Sequence, residues 1–110
     1  MKEPLLVITN LGDISSARIL ARTLVERRLA ACVNMLPGVQ SVYRWRDAIE
    51  EEAEVALLIK TTAGRYAELE EAIKALHPYE LPEILALPLS AGLPAYLDWI
   101  VQETRKDINV

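Results

Sequence analysis

The amino-acid sequence predicts an α+β fold, with one antiparallel sheet and helices packed against it. Three observations lead there. Short β-rich apolar runs alternate with longer stretches whose apolar residues recur every three or four positions. Two strand-like runs follow one another between the first two helical stretches, as the arms of a hairpin do. Breakers such as Gly12, Pro78 and Pro94 stand at the boundaries.

Residues 4–9, PLLVIT, end in the turn signal Asn10-Leu11-Gly12 and read as a strand. From Asp13, a suitable N-cap, residues 13–29 place Ala17, Leu20 and Leu24 on one face, with Ala21 and Val25 beside them. Arg18, Arg22 and Glu26 recur on another face, so this stretch is an amphipathic helix. Residues 30–47 carry a strand pattern broken at Pro37-Gly38. Val33 and Met35 point one way before the break; Val39, Ser41, Tyr43 and Trp45 share a side after it. Pro cannot donate to a ladder and Gly relaxes the backbone, so a bulge or bend is expected there.

An acidic turn is expected over residues 47–52, DAIEEE, and the run 53–62 returns as the hairpin partner. Tyr66, Leu69, Ile73 and Leu76 form the stripe of a second helix that Pro78 stops. Residues 83–89, EILALPL, read as a fourth strand, and residues 93–106 as a closing helix with Pro94 in its first turn. Strand, helix, strand, strand, helix, strand is the split βαβ, ferredoxin-like order, here with an additional C-terminal helix. Residues 1–110 read as one domain, without repeats or low-complexity segments.

Composition narrows the function classes. The net charge is −4 and the basic residues are dispersed, which leaves no electrostatic footprint for nucleic acid or anionic lipid. No window suits a membrane span, and the apolar run after Met1 is too short for a signal peptide. One cysteine excludes an internal disulfide and suits a reducing compartment, so the cytoplasm is expected.

Two features ask for a partner. The runs LLVI, VALLI and ILAL are apolar at successive positions, which implies burial on both faces of the sheet. Two helices cover one face, and the third is too short to cover the other. Residues 31–46, if extended, would span about 50 Å, against a domain about 34 Å across. The hairpin must therefore bend or project, and projecting edges need cover. A closed homo-oligomer meets both demands; a strongly coiled sheet curling over itself is the alternative.

Catalytic motifs are largely missing. There is no phosphate-binding G-x-x-x-x-G-K-[ST], no dinucleotide-binding G-x-G-x-x-G, and no pair of cysteines or histidines for a structural zinc site. The stretch GVQSVYR, Gly38 to Arg44, loosely resembles the phosphate-cradling turn of acylphosphatases, which share this fold. That family's arginine and asparagine would correspond to Arg44 and Asn34. Ser41 stands where a glycine would let the backbone approach the phosphate, and the stretch follows the first helix rather than the first strand.

Three blocks, ERRLAACVNMLPGVQSVYRW, LLIKTT and LHPYELPEILALP, with YLDW behind them, resemble the CutA family of divalent-cation-tolerance proteins. The resemblance runs from about Leu5 to Trp99. It implies a homotrimer of ferredoxin-like subunits joined through edge strands, similar in architecture to PII-type signalling proteins. It also implies cytoplasmic residence, a link to copper and other divalent metals, and no established reaction. Some relatives offer a Cys near the end of the first strand and a His-His pair before Pro-Tyr as copper ligands. Thr9 and Leu76-His77 hold those positions here, which leaves His77 as the metal-ligand candidate for copper or zinc.

Each candidate has a plainer reading beside it. His77 at a helix C-terminus can bond the last carbonyls and complement the dipole. Lys60 interrupts an apolar strand, where a cation needs a partner, and Glu83 from a neighbouring subunit would supply one. Cys32 suits a small buried hydrophobe. Tyr43 and Trp45 suit interface packing, Pro78 and Pro82 stiffen a corner, and Tyr96 and Trp99 suit the core. The functional reading places Lys60, Tyr79, Glu83, Tyr43, Trp45 and Cys32 around an intersubunit cleft that takes a small ligand or a metal ion. A hydrolase using Arg44 and Asn34, and a structural trimer that binds another protein, are the alternatives.

Overall fold

A computed structural model of the chain describes residues 2–106. In sequence order these form β1 (Pro4–Leu11), α1 (Ile14–Glu26), β2 (Cys32–Trp45), β3 (Ala48–Thr62), a 3-10 turn (Ala63–Arg65), α2 (Tyr66–Leu76), β4 (Leu85–Pro88) and α3 (Pro94–Glu103). The sheet order is β2-β3-β1-β4. β3 runs antiparallel to both β1 and β2, and β4 antiparallel to β1. A crossover helix thus links β1 to β2 with β3 inserted between them, which is the split βαβ arrangement expected from the element order.

The core lies on one face of the sheet. Val7 and Leu11 of β1 and Val55, Leu57 and Ile59 of β3 meet Ala17, Leu20 and Leu24 of α1 and Leu69, Ala72 and Ile73 of α2. The helical stripes read from the sequence are therefore the buried ones. Leu76, expected in the α2 stripe, sits in its last turn and is exposed.

Asp13 caps α1 by accepting a bond from the Ser16 amide at 3.4 Å. The helix stops at Glu26, three residues before the expected end. Arg28 turns left-handed (φ 58°), and the amides of Leu29 and Ala30 both fold back onto the Leu24 carbonyl. Burial of Leu29 under the sheet edge outweighs continuing the helical pattern. Arg65 seals that end: its Nε donates to the Arg28 carbonyl and its Nη1 pairs with Glu68 at 2.6 Å.

β2 changes register between Leu36 and Val39, at Pro37-Gly38 as expected, with Gly38 at φ 80°. The extra residue reverses which alternate positions face each side of the sheet. The acidic turn expected over residues 47–52 is not a turn. Arg46 and Asp47 alone make the reversal, at φ 50° and 68°, and AIEEE begins β3. Two successive positive φ values define the tight hairpin turn whose twist matches that of the strands it joins. β4 is shorter than the expected 83–89, because Pro82 and Pro88 confine it to an edge.

Residues 48–54 run on past the end of β1, which pairs only as far as Val55. This hairpin arm stretches the molecule to 48 × 30 × 22 Å, with a radius of gyration of 14.7 Å. Arg46 holds a left-handed conformation that asparagine adopts at lower cost, and its ion pair with Glu80 is two-thirds exposed. Arg46→Asn should therefore raise the unfolding free energy in urea by about 0.5–1 kcal/mol. A loss of similar size would show that the contacts to Glu80 and Trp45 outweigh the backbone strain.

Candidate functional site

The other face of the sheet carries the candidate residues, and strand register places them in rows. Leu36, Ala56 and Asn10 form one row; Asn34, Leu58, Ile8 and Leu85 the next; Cys32, Lys60, Leu6 and Leu87 the third. α3 touches β3 and β1, and its Tyr96 reaches Cys32. Ile100 and Thr104 are buried there, outside the main core cluster. The helix covers the Lys60 end only. Leu36 on the β2 edge is 43% exposed and Leu85 and Leu87 on the β4 edge 54% and 44%, with Ile8 and Leu58 half-buried between them, so apolar side chains are left open at both edges of the face. Tyr96 and Trp99, expected in the core, are instead about two-fifths exposed, with rings stacked 5.5 Å apart.

Toward the arm the same face turns acidic. After the bulge, Val39 opposes Glu54, Ser41 opposes Glu52 and Tyr43 opposes Glu50. Glu54 is nearly buried. The Ser41 hydroxyl donates to its Oε1 at 2.6 Å and the Tyr79 hydroxyl to its Oε2 at 2.9 Å. Burial, then the bond to Glu54 and that carboxylate's charge, hold the Tyr79 phenol well above its ordinary range. Partial desolvation and the carboxylates of Glu52, Glu50 and Glu54 raise Tyr43 as well. Glu83 accepts from Asn10 Nδ2 at 3.0 Å. Trp45 lies at the tip beneath the Arg46 guanidinium, 5.1 Å from its ring centre.

His77 fixes the corner from which Tyr79 reaches Glu54. The Tyr79 amide donates to Nδ1 at 3.2 Å, so the proton sits on Nε2, which donates to the Asn10 carbonyl at 2.6 Å. Both ring nitrogens are engaged, and the imidazole is buried. Thr9, at the other position where some relatives carry a metal ligand, points into the helix-side core with its hydroxyl unpartnered. No three His, Cys, Asp or Glu residues among those described could hold a metal ion together. A metal at His77 would have to displace one of its two bonds.

The candidates thus fall into two groups at opposite ends of one face. Cys32 and Lys60 adjoin under α3, where Lys60 Nζ donates to Asn34 Oδ1 and lies 3.8 Å from the Cys32 sulfur. Tyr43 and Tyr79 gather around Glu54, with Glu83 nearby. Lys60 and Glu83 do not meet within the chain. Nor do the two hydrolase candidates: Asn34 and Arg44 sit on opposite faces of β2, about 30 Å apart along the strand. The sequence reading missed Glu54. Its signal was the place it holds opposite Val39, where the strand returns from the arm into the sheet. A concavity of about 640 Å³ between the end of α1 and α2 lies away from this face; Arg65, which lines it, is already spent on Glu68 and backbone carbonyls.

Fold and face together define a class: a small ferredoxin-like α+β protein whose second sheet face is part apolar, part charged and only partly covered by α3. The chain belongs to the CutA family of divalent-cation-tolerance proteins. The family model described as CutA1 divalent ion tolerance protein matches residues 5–103. The divalent-cation tolerance protein CutA of Thermus thermophilus is 47% identical over 104 residues, covering 94% of this chain and 99% of that one. The crystal structure of CutA from Xylella fastidiosa superposes with a TM-score of 0.90 at 47% identity, covering 93% of this chain and 98% of that one. Protein CutA of Mus musculus is 45% identical over 93 residues, which are 84% of this chain and 52% of that protein. No helix among the described residues is long and apolar enough to cross a membrane.

Tyr79→Phe should cost about 1–3 kcal/mol of stability at neutral pH, because it leaves a nearly buried Glu54 oxygen unpaired. The phenol's raised pKa gives stability that is fully present below its ordinary value of 10.0 and is lost as pH climbs beyond it. Urea titrations above pH 10 should therefore show a shallower decline in the variant than in the native chain. Equal slopes would remove Tyr79 from the linkage.

Proposed function

We propose that the chain works as a homotrimeric binding protein of the divalent-cation response, with its ligand sites between copies and in the cytoplasm. The observation that carries this reading is the pair of open apolar edges, Leu36 on β2 and Leu85 and Leu87 on β4, beside an arm that runs past the end of β1. β2 and β4 are opposite edges of the sheet. A contact that lays the arm of one copy against the β4 edge of the next joins two different surfaces, and such contacts close into rings. Three is the number that the family resemblance implies.

In this reading the clefts between copies are lined by Tyr43, Trp45, Tyr79 and Glu83 from one side and by Lys60 and Cys32 from the other. A divalent ion such as copper or zinc would be held by groups of more than one copy, with the exposed carboxylates Glu80 and Glu83 exchanging their bonds to Arg46 and Asn10 for it. The acylphosphatase-type alternative is disfavoured, since its two residues, Asn34 and Arg44, face away from each other.

Size-exclusion chromatography with light scattering at micromolar protein should return three times the mass of one chain. The mass of a single folded chain would overturn the assembly and, with it, the clefts.

A further inference from the structure

The twelve basic residues are dispersed along the chain, and folding gathers four of them. Arg27 and Arg28 at the end of α1, Arg65 before α2 and Lys106 after α3 line one hollow of about 520 Å³, with Glu26 and Glu68. Their charges are not evenly matched. Arg65, whose side chain is nine-tenths buried, is spent: Nη1 holds Glu68 at 2.6 Å, while Nε and Nη2 donate to the Arg28 and Arg27 carbonyls. Lys106 shares the same Glu68 oxygen at 3.6 Å, and Arg28 reaches Glu103 at 3.7 Å. Both contacts are longer than the roughly 2.7–2.9 Å of a charge-assisted hydrogen bond, and both pairs are half-exposed, so a better acceptor displaces them at little cost. Arg27 has no carboxylate within ion-pair distance among the described residues, and Glu26 pairs with Arg22 instead. Three cations with loose partners or none therefore face one hollow, backed by a buried fourth. Glu68 stands in the first turn of α2, whose dipole adds its positive end there. A second hollow, of about 640 Å³, shares Arg27, Arg65 and Glu68 with the first and continues over the apolar Leu29, Ala72 and Ala75.

We propose that the two adjoining hollows bind a phosphorylated small molecule. Its phosphate sits among Arg27, Arg28 and Lys106, and its organic part lies over Leu29, Ala72 and Ala75. The planar fork of arginine matches phosphate oxygens, and a doubly charged group balances the positive surplus that Glu68 and Glu103 leave. This site goes beyond the binding role given above. It is built from one chain at the ends of the helices, so it stands or falls independently of the oligomeric mass and of the clefts between copies.

The probes are inorganic phosphate and phenyl phosphate, each titrated into the full chain and followed by amide chemical shifts. Sodium chloride at matched ionic strength is the control. The expected result is a saturable shift of the Arg28, Ala67 and Glu68 amides, with phenyl phosphate reaching half-effect at several-fold lower concentration than inorganic phosphate. Arg27→Ala and Lys106→Ala remove exposed side chains and leave the core intact. Each should raise the half-effect concentration several-fold, whereas Arg18→Ala, elsewhere on α1, leaves it unmoved. Equal half-effects for the two probes assign the hollow to the free ion and overturn the organic ligand. Shifts reproduced by chloride, or a midpoint unmoved in both Arg27→Ala and Lys106→Ala, overturn the site altogether. An equal loss in Arg18→Ala overturns it too, because it marks a response to net charge alone.

Discussion

The sheet has two apolar faces and only one set of helices long enough to cover a face. α1 and α2 bury Val7, Val55, Leu57 and Ile59 completely, while α3 reaches only the Lys60 end of the opposite side. Moving a half-exposed leucine such as Leu85 or Leu87 into full burial is worth about 1 kcal/mol, and these two stand on one edge strand with Leu36 on the other. That unmet burial is what the proposed ring of copies would satisfy.

The bulge at Pro37-Gly38 extends this face into the arm. Before it, Cys32, Asn34 and Leu36 look away from the helices; after it, Val39, Ser41, Tyr43 and Trp45 do. One inserted residue thus keeps the aromatic side chains on the same surface as Lys60, and leaves Val42 and Arg44 on the other. At the top of the face, His77 ties the end of α2 to the Asn10 carbonyl and so aims Tyr79 at Glu54. Within the corner from Leu76 to Ile84, His77 makes two hydrogen bonds, Tyr79 reaches Glu54 and Glu83 accepts from Asn10.

Much of the fold was legible because its signals are local. Periodicity marked Ala17, Leu20, Leu24, Leu69 and Ile73 as core, and Pro37-Gly38 marked the bulge. The hairpin turn was misplaced because Arg46-Asp47 lacks the glycine or asparagine that usually announces two positive φ angles, while the acidic run beside it looks like a loop. The end of α1 was overshot because Leu29 continues the helical apolar period but is buried by a chain reversal. Glu54 and the exposure of Tyr96 and Trp99 depend on contacts across the sheet, which no local pattern records. The grouping of Lys60 with Cys32 and Asn34 arises from strand register, and register follows from the hairpin as a whole.

The family relationship accounts for the order of elements and for the blocks around Cys32, Lys60 and Glu83. The physical account adds the reason those blocks face one surface: a shared, uncovered side of the sheet. Sedimentation equilibrium on two single variants tests that reason most directly. Leu87→Asp puts a charge into the open apolar face, whereas Ile19→Asp puts one on α1, at a position 65% exposed on the helix side. The account predicts that the first variant sediments as a folded single chain and the second keeps the native mass. An unchanged mass in Leu87→Asp, or dissociation by Ile19→Asp alone, would contradict it.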